Sequence, residues 1–197
     1  MTRDRESSMS RRSQTMSITI VAGRTLFAML FLFISSALVS AQTHDEWIRY
    51  DSKEGRYSVL LPSQPTVDSQ EATSNSGNKF TQYKATVSDA NAVYMIGYFD
   101  YSPPTTFTLE KGSDGMVNAA KGTLLSQRSI SLGGAPGLEI HVAAKDESGS
   151  EFVLFARFYD IDHRIYVVQF ITTKAGDTTT DIKANKYFDS FLVVKGP

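Results

Sequence analysis

The chain contains no cysteine. Disulfides, thiol nucleophiles and cysteine metal sites are therefore excluded, and no lipid can be attached through a thiol. Histidine is scarce, with three residues in 197. An excess of one charge is also lacking: the formal net charge is −1, which offers nucleic acid no basic patch or stripe. No Gly-x-Ser-x-Gly elbow, Walker loop, dinucleotide fingerprint or His-Glu-x-x-His pair occurs. Gly133-Gly134-Ala135-Pro136-Gly137 is rich in glycine, but a strand follows it where a phosphate cradle would need a helix, so it reads as a turn. No internal repeat or low-complexity segment is present.

Long apolar runs are lacking too, with one exception. Residues 26–39, Leu26 to Val39, are apolar but for two serines. Arg11, Arg12 and Arg24 precede the run, and Val39-Ser40-Ala41 follows it. A basic region, a short apolar region and small residues at the last positions describe a secretory signal peptide over residues 1–41, cut between Ala41 and Gln42. A membrane anchor is the competing reading, but a spanning helix needs ~20 apolar residues, and Arg24 cuts this run short. The segment before the run is long, so Met9 or Met16 is a candidate true start. Ser10-Arg11-Arg12 matches a twin-arginine signal only weakly, because Gln14 and Thr15 stand where apolar residues belong. Residues 1–41 carry five arginines and two acids, which leaves 15 basic and 19 acidic residues and a net charge of −4. The remainder, 42–197, is long enough for one domain with a core that needs no staples. The expected localisation is exported, periplasmic or extracellular, with no stable membrane insertion after cleavage.

Residues 151–173 organise the rest. They read as two strands joined at a polar tip, Asp160 to His163. Side chains alternate along a strand, so Phe152, Leu154 and Phe158 oppose Val153, Phe155 and Tyr159. In the second strand Ile165, Val167 and Ile171 oppose Tyr166, Val168 and Phe170. Strands apolar on both faces belong in the middle of a sheet covered on both sides. Further strands are expected at 47–50, 56–61, 80–87, 92–101, 124–132 and 138–144, with a weak edge strand at 66–73. A helix is expected over 108–122, capped by Thr108, although Gly112 and Gly115 each weaken it by about 1 kcal/mol. A second has the stripe Ala184, Tyr187, Phe188 and Phe191, with Asp177 or Thr178 as its cap. The order has too many hairpins for a doubly wound parallel sheet. It predicts an α+β fold, an antiparallel sheet with helices on both faces as an α/β/α sandwich.

A Trp47-x-x-Tyr50 opening leads into Glu54-Gly55-Arg56-Tyr57-Ser58-Val59-Leu60-Leu61-Pro62-Ser63-Gln64-Pro65. Later come Gly134-Ala135-Pro136-Gly137-Leu138-Glu139, the aromatic hairpin, and Tyr187-Phe188-Asp189-Ser190-Phe191. This series resembles the bacterial exported proteins related to the photosystem II extrinsic protein PsbP and the periplasmic protein DcrB. The resemblance covers nearly all of 42–197, and the order and spacing of its motifs carry it. It implies an antiparallel sheet with helices on both sides, no shared catalytic residues, and a binding or accessory role. Fold and short motifs do not transfer a photosynthetic function.

Among candidate site residues, His44 becomes the third residue of a chain cut after Ala41. A free amine, two backbone nitrogens and an imidazole then suit copper(II) or nickel(II); cyclisation of Gln42 would remove the amine. Asp160, Asp162 and His163 read as a metal cluster, an acid/base group, or simply a charged hairpin tip, which is the commoner reason for such residues. His141 alternates with Glu139 on a strand and is expected to face solvent or a cross-strand partner. Tyr94, Tyr98, Phe99 and Tyr101, leading into Pro103-Pro104, form either sheet core or an aromatic patch. Asp160, Asp162, His163, Tyr98 and Tyr101 are the candidate partner surface. The leading expectation is an exported, non-catalytic binding or accessory protein of the bacterial envelope, with no cofactor and an unidentified protein or small-molecule partner. The alternative is a hydrolase or metal-dependent enzyme using Asp160, Asp162 and His163.

Overall fold

The computed structural model describes residues 46–73, 79–102 and 107–194. Ten strands and two helices occur among them: β1 Ile48–Ser52, β2 Tyr57–Leu61, β3 Thr66–Thr73, β4 Lys79–Ser88, β5 Ala92–Asp100, α1 Leu109–Ala119, β6 Thr123–Leu132, β7 Ala135–Lys145, β8 Glu151–Ile161, β9 Arg164–Thr172, α2 Thr178–Asp189 and β10 Leu192–Val193. The strands form two sheets where one was expected. Seven make a sheet in the order β3-β4-β5-β9-β8-β7-β6, and β1, β2 and β10 make a small one. All the pairings are antiparallel. The two-residue β10 has no sequence period of its own; pairing of Leu192 with Ser58 creates it. The candidate cleavage point at Ala41 and Gln42, and His44, lie outside the described residues.

Turn chemistry sets the hairpins. Asp162 and His163 have φ of 52° and 59°, so they form a two-residue turn with both central residues left-handed, whose twist matches that of the flanking strands. The tip is thus tighter than the expected Asp160–His163, and Asp160 is inside β8, opposite Ile165. Gly133 and Gly134, at φ 58° and 89°, do the same between β6 and β7. That turn takes two residues instead of five, and Ala135, Pro136 and Gly137 already belong to β7. Thr108 and Asp177 cap α1 and α2 by accepting from the backbone N–H of Lys111 and Thr180. α2 stops at Asp189, so Phe191 follows the helix instead of ending its stripe, yet it remains buried.

Alternation along β8 and β9 feeds two apolar clusters. Tyr166, Val168 and Phe170 join Tyr94, Ile96, Val59, Leu61, Tyr187 and Phe191 in the larger. Leu154, Ala156 and Phe158 join Leu138, Ile140 and Val142 in the smaller, against Leu109, Met116 and Val117 of α1. Each fully buried Leu, Ile or Phe contributes about 1.5–3 kcal/mol. Gly112 makes room for the Phe107 ring, which packs edge to face on Phe99, since a Cβ there would lie 2.7 Å from it. The cover over the second face is uneven. Val167, Gln169 and Ile171 of β9 are half-buried, as are Val93, Met95 and Phe99 beside them, while α1 lies over β7 and β8.

Candidate functional site

One end of the seven-stranded sheet collects the unusual side chains. There β5 runs out, the β8–β9 turn projects, and the β1–β2 turn folds back onto β9. Arg164, the first residue of β9, holds the three together. Its Nε and Nη2 donate to the two carboxylate oxygens of Asp100 at 2.6 and 2.7 Å. Its Nη1 donates to the Glu54 carbonyl at 2.7 Å. The guanidinium also stands 4.6 Å from the centroid of Tyr98. This bidentate fork suits arginine's planar geometry and not lysine's point charge. The hydrogen bond to Asp100 is the main reason the Arg164 pKa rises, and that same bond leads the lowering of the Asp100 pKa. Tyr166 adds a second tie, its hydroxyl donating to the Gly55 carbonyl at 2.9 Å.

At the turn itself Asp162 and His163 are exposed, and Asp160 and Tyr101 are half-buried. The Tyr101 hydroxyl donates to both Asp160 oxygens, at 3.1 and 2.9 Å. The Tyr101 amide donates to the His163 carbonyl at 2.9 Å, and the two rings meet edge to face at 5.4 Å. Burial, followed by the hydrogen bond to Asp160, raises the Tyr101 pKa. The four residues therefore form one braced projection. No group of three or more His, Asp or Glu side chains among the described residues has the spacing to hold a metal ion.

Tyr98 departs from the expected surface: it is 6% exposed, packed flat against Tyr83 with centroids 4.8 Å apart. Cross-strand register explains this. Tyr83, Tyr98, Tyr166 and Tyr159 are successive partners across β4, β5, β9 and β8, so four phenols lie in one row under the small sheet. What remains open is a cleft of about 190 Å³ between the β1–β2 turn and β3–β4–β5, lined by Tyr50, Tyr57, Tyr83, Tyr98, Asp51 and Glu54, among others. Burial pushes the Tyr98 pKa up to about 12 and raises that of Tyr57, with the Tyr50 phenol adding to the latter. Each strand shows its tyrosines in the sequence, but the row depends on the pairing of four strands.

Glu139 is a further residue whose setting the alternation of its strand did not reveal. It is 7% exposed, between Arg128 Nε at 2.6 Å and Arg157 Nε at 2.7 Å, with His141 Nε2 at 3.6 Å. Burial alone would raise its pKa; the hydrogen bonds and charges of Arg128 and Arg157 outweigh that and lower it. His141 also packs against Phe155 at 4.6 Å, so it has the cross-strand partner its position suggested. A wider cleft of about 630 Å³ at the far end of the sheet includes Lys121, Lys145, Glu151 and Phe152 in its lining. There Lys145 and Glu151 pair at 3.1 Å.

No protein-family model matches the chain, and no curated protein matches its sequence. Among solved structures, the cyanobacterial PsbP of Synechocystis is similar, with a TM-score of 0.51 and 12% identity over 75% of this chain and 92% of that one. A Pseudomonas aeruginosa protein of unknown function matches at a TM-score of 0.45 and 14% identity, over 77% of this chain and 98% of its own. A Bacteroides thetaiotaomicron protein matches at 0.43 and 13%, over 75% of this chain and 48% of its own. The first of these likenesses shows a PsbP-like fold, and at such identity it shows the fold alone. Among the described residues no helix is long and apolar enough to cross a membrane.

Proposed function

We propose that the chain is an exported, non-catalytic binding or accessory protein of the bacterial envelope, and that the β8–β9 tip is where it meets its partner. The observation that carries this reading is local strain at an exposed place. Asp162 and His163 both occupy left-handed backbone, where Asn-Gly would sit with less strain. A left-handed L-residue costs roughly 1–2 kcal/mol, and strained residues of this kind gather at binding and switch sites. Bracing by Tyr101, Asp160 and Arg164 gives the strained pair a fixed shape to present. In this reading α2 with the small sheet roofs one face of the large sheet and α1 the other, as three layers. The apolar segment at 26–39 acts as an export signal cleaved after Ala41.

The hydrolytic or metal-dependent alternative has no specific observation in its favour. Asp162 and His163 stand on an open turn, whereas reacting groups work from a concave, water-excluding site. Affinity capture from the envelope fraction tests the proposal, using the wild-type chain and an Asp162→Ala, His163→Ala variant with unchanged circular dichroism. The variant is expected to lose the partner that the wild type retains. Equal capture by both would remove the tip from the account, and turnover of an ester or phosphoester that depends on His163 would favour the enzyme.

A further inference from the structure

The tyrosine-lined cleft has a chemistry of its own. Its rings do not lie in one plane: Tyr57 is inclined by 68° to Tyr98 and by 58° to Tyr50, while Tyr83 lies parallel to Tyr98 within 11°. Tyr57 and Tyr98 are buried at the base of the cleft, at 2% and 6% exposure, and the half-buried Tyr50 and Tyr83 leave ring surface open to it. An aromatic face carries negative charge density, and a cation placed over it is attracted. Tyr98 already uses this property toward Arg164. The mouth adds charge of the same sense. Asp51 and Glu54 are exposed, and neither side chain has a hydrogen bond or ion pair among the described residues. Lys53 and Lys84 are the opposing charges in the lining. The ammonium of Lys84 is paired with Asp68 at 3.4 Å, and the guanidinium of Arg164 with Asp100. With Asp68, just outside the lining, set against Lys84, the two carboxylates of Asp51 and Glu54 stand against the one ammonium, of Lys53, that is unpaired among the described residues.

We propose that this cleft binds a small organic cation of the alkylated or quaternary ammonium class, seated against Tyr50 and Tyr83 with Asp51 and Glu54 at its mouth. The volume of about 190 Å³ admits a head group of choline size and not a polymer. The proposal rests on the reading of the chain as a binding protein and adds a second binding place, apart from the hairpin tip. Tyr83 is half-buried at the lip, so its replacement changes the wall with less disturbance of the core than a change at Tyr57 or Tyr98.

The test titrates the purified full-length chain with choline chloride by calorimetry, with sodium chloride holding ionic strength constant. Saturable binding is expected, weakened about tenfold or more by Tyr83→Leu and kept within about twofold by Tyr83→Phe, which retains the aromatic face. Glu54→Gln, at an exposed position, is expected to weaken binding by about threefold, less so at high salt. Co-sedimentation with phosphatidylcholine vesicles separates the sources of the group: sedimentation assigns a lipid head group, and choline binding without it assigns a free cation. The proposal is overturned by a folded wild type with no saturable choline binding in the millimolar range. Choline binding indifferent to both Tyr83→Leu and Glu54→Gln, or a methyl glucoside binding in its place, overturns it too. The Asp162→Ala, His163→Ala variant keeps choline binding in this account. Loss of capture in that variant with choline binding absent from every form therefore sinks the cleft alone, and equal capture with choline binding intact sinks the tip alone.

Discussion

Arg164 and Glu139 show what single charges do in this chain. Each is buried by its neighbours and neutralised by partners from other strands, so each joins elements. Glu139→Gln leaves Arg157, with a side chain 18% exposed, only the exposed carboxylate of Asp189 at 3.4 Å, and a loss of about 2 kcal/mol in unfolding free energy is expected. Arg128, at 65% exposure, adds little because solvent screens it. The folded chain holds the Glu139 pKa below its ordinary value of 4.5. Its stabilisation is therefore fully present above pH 4.5 and lost as pH falls through the lowered pKa. Thermal melts of wild type and Glu139→Gln between neutral and strongly acidic pH check the sign, since the gap between them should close on the acid side. A gap that widens in acid would contradict it. The sequence showed Glu139 in a strand but not its burial, because its two arginines come from β6 and β8, ten and more residues away.

Elements were legible where period and punctuation agreed. The β8–β9 hairpin follows from alternation and the α1 cap from Thr108, while Asp177 was one of two cap candidates for α2 and the turn at Gly133–Gly134 was read as five residues where two suffice. Where local signals were silent, the reading fell short. β10 exists only because β2 has an open edge, and Phe191 keeps helical spacing without being helical. α1 offers a contrast that separates propensity from packing. A Cβ on Gly115 meets nothing within 4 Å, whereas one on Gly112 meets Phe107 at 2.7 Å. Gly115→Ala is expected to stabilise the chain by about 0.5–1 kcal/mol. Gly112→Ala is expected to gain nothing or lose stability, since crowding of Phe107 offsets the same propensity gain. Urea unfolding of the two variants decides this, and equal stabilisation by both would show that α1 is not held close to Phe107.

Across the whole molecule, one face of the large sheet is a tyrosine floor under a small sheet, and one end carries a braced, strained turn. The floor predicts an alkaline signature. Six of the nine tyrosines, including Tyr57, Tyr98 and Tyr187, have raised pKa values, chiefly through burial. A phenol kept neutral by the fold contributes stability below pH 10 that is lost as pH rises beyond it. Tyrosinate absorbance from these six should appear above pH 10 in a cooperative step with unfolding. Smooth ionisation of all nine in an intact fold would contradict the burial. The antiparallel α+β class could be read from the order of elements; the second sheet and the cleft could not, because both depend on register between distant strands. The turn offers the most direct test of the functional account, in a variant carrying Asp162→Asn and His163→Gly. Relief of the two left-handed residues is expected to stabilise the chain by about 1 kcal/mol, while the envelope partner is lost. A variant that is more stable and still captures the partner as the wild type does would contradict the claim that this strained tip is the recognition site.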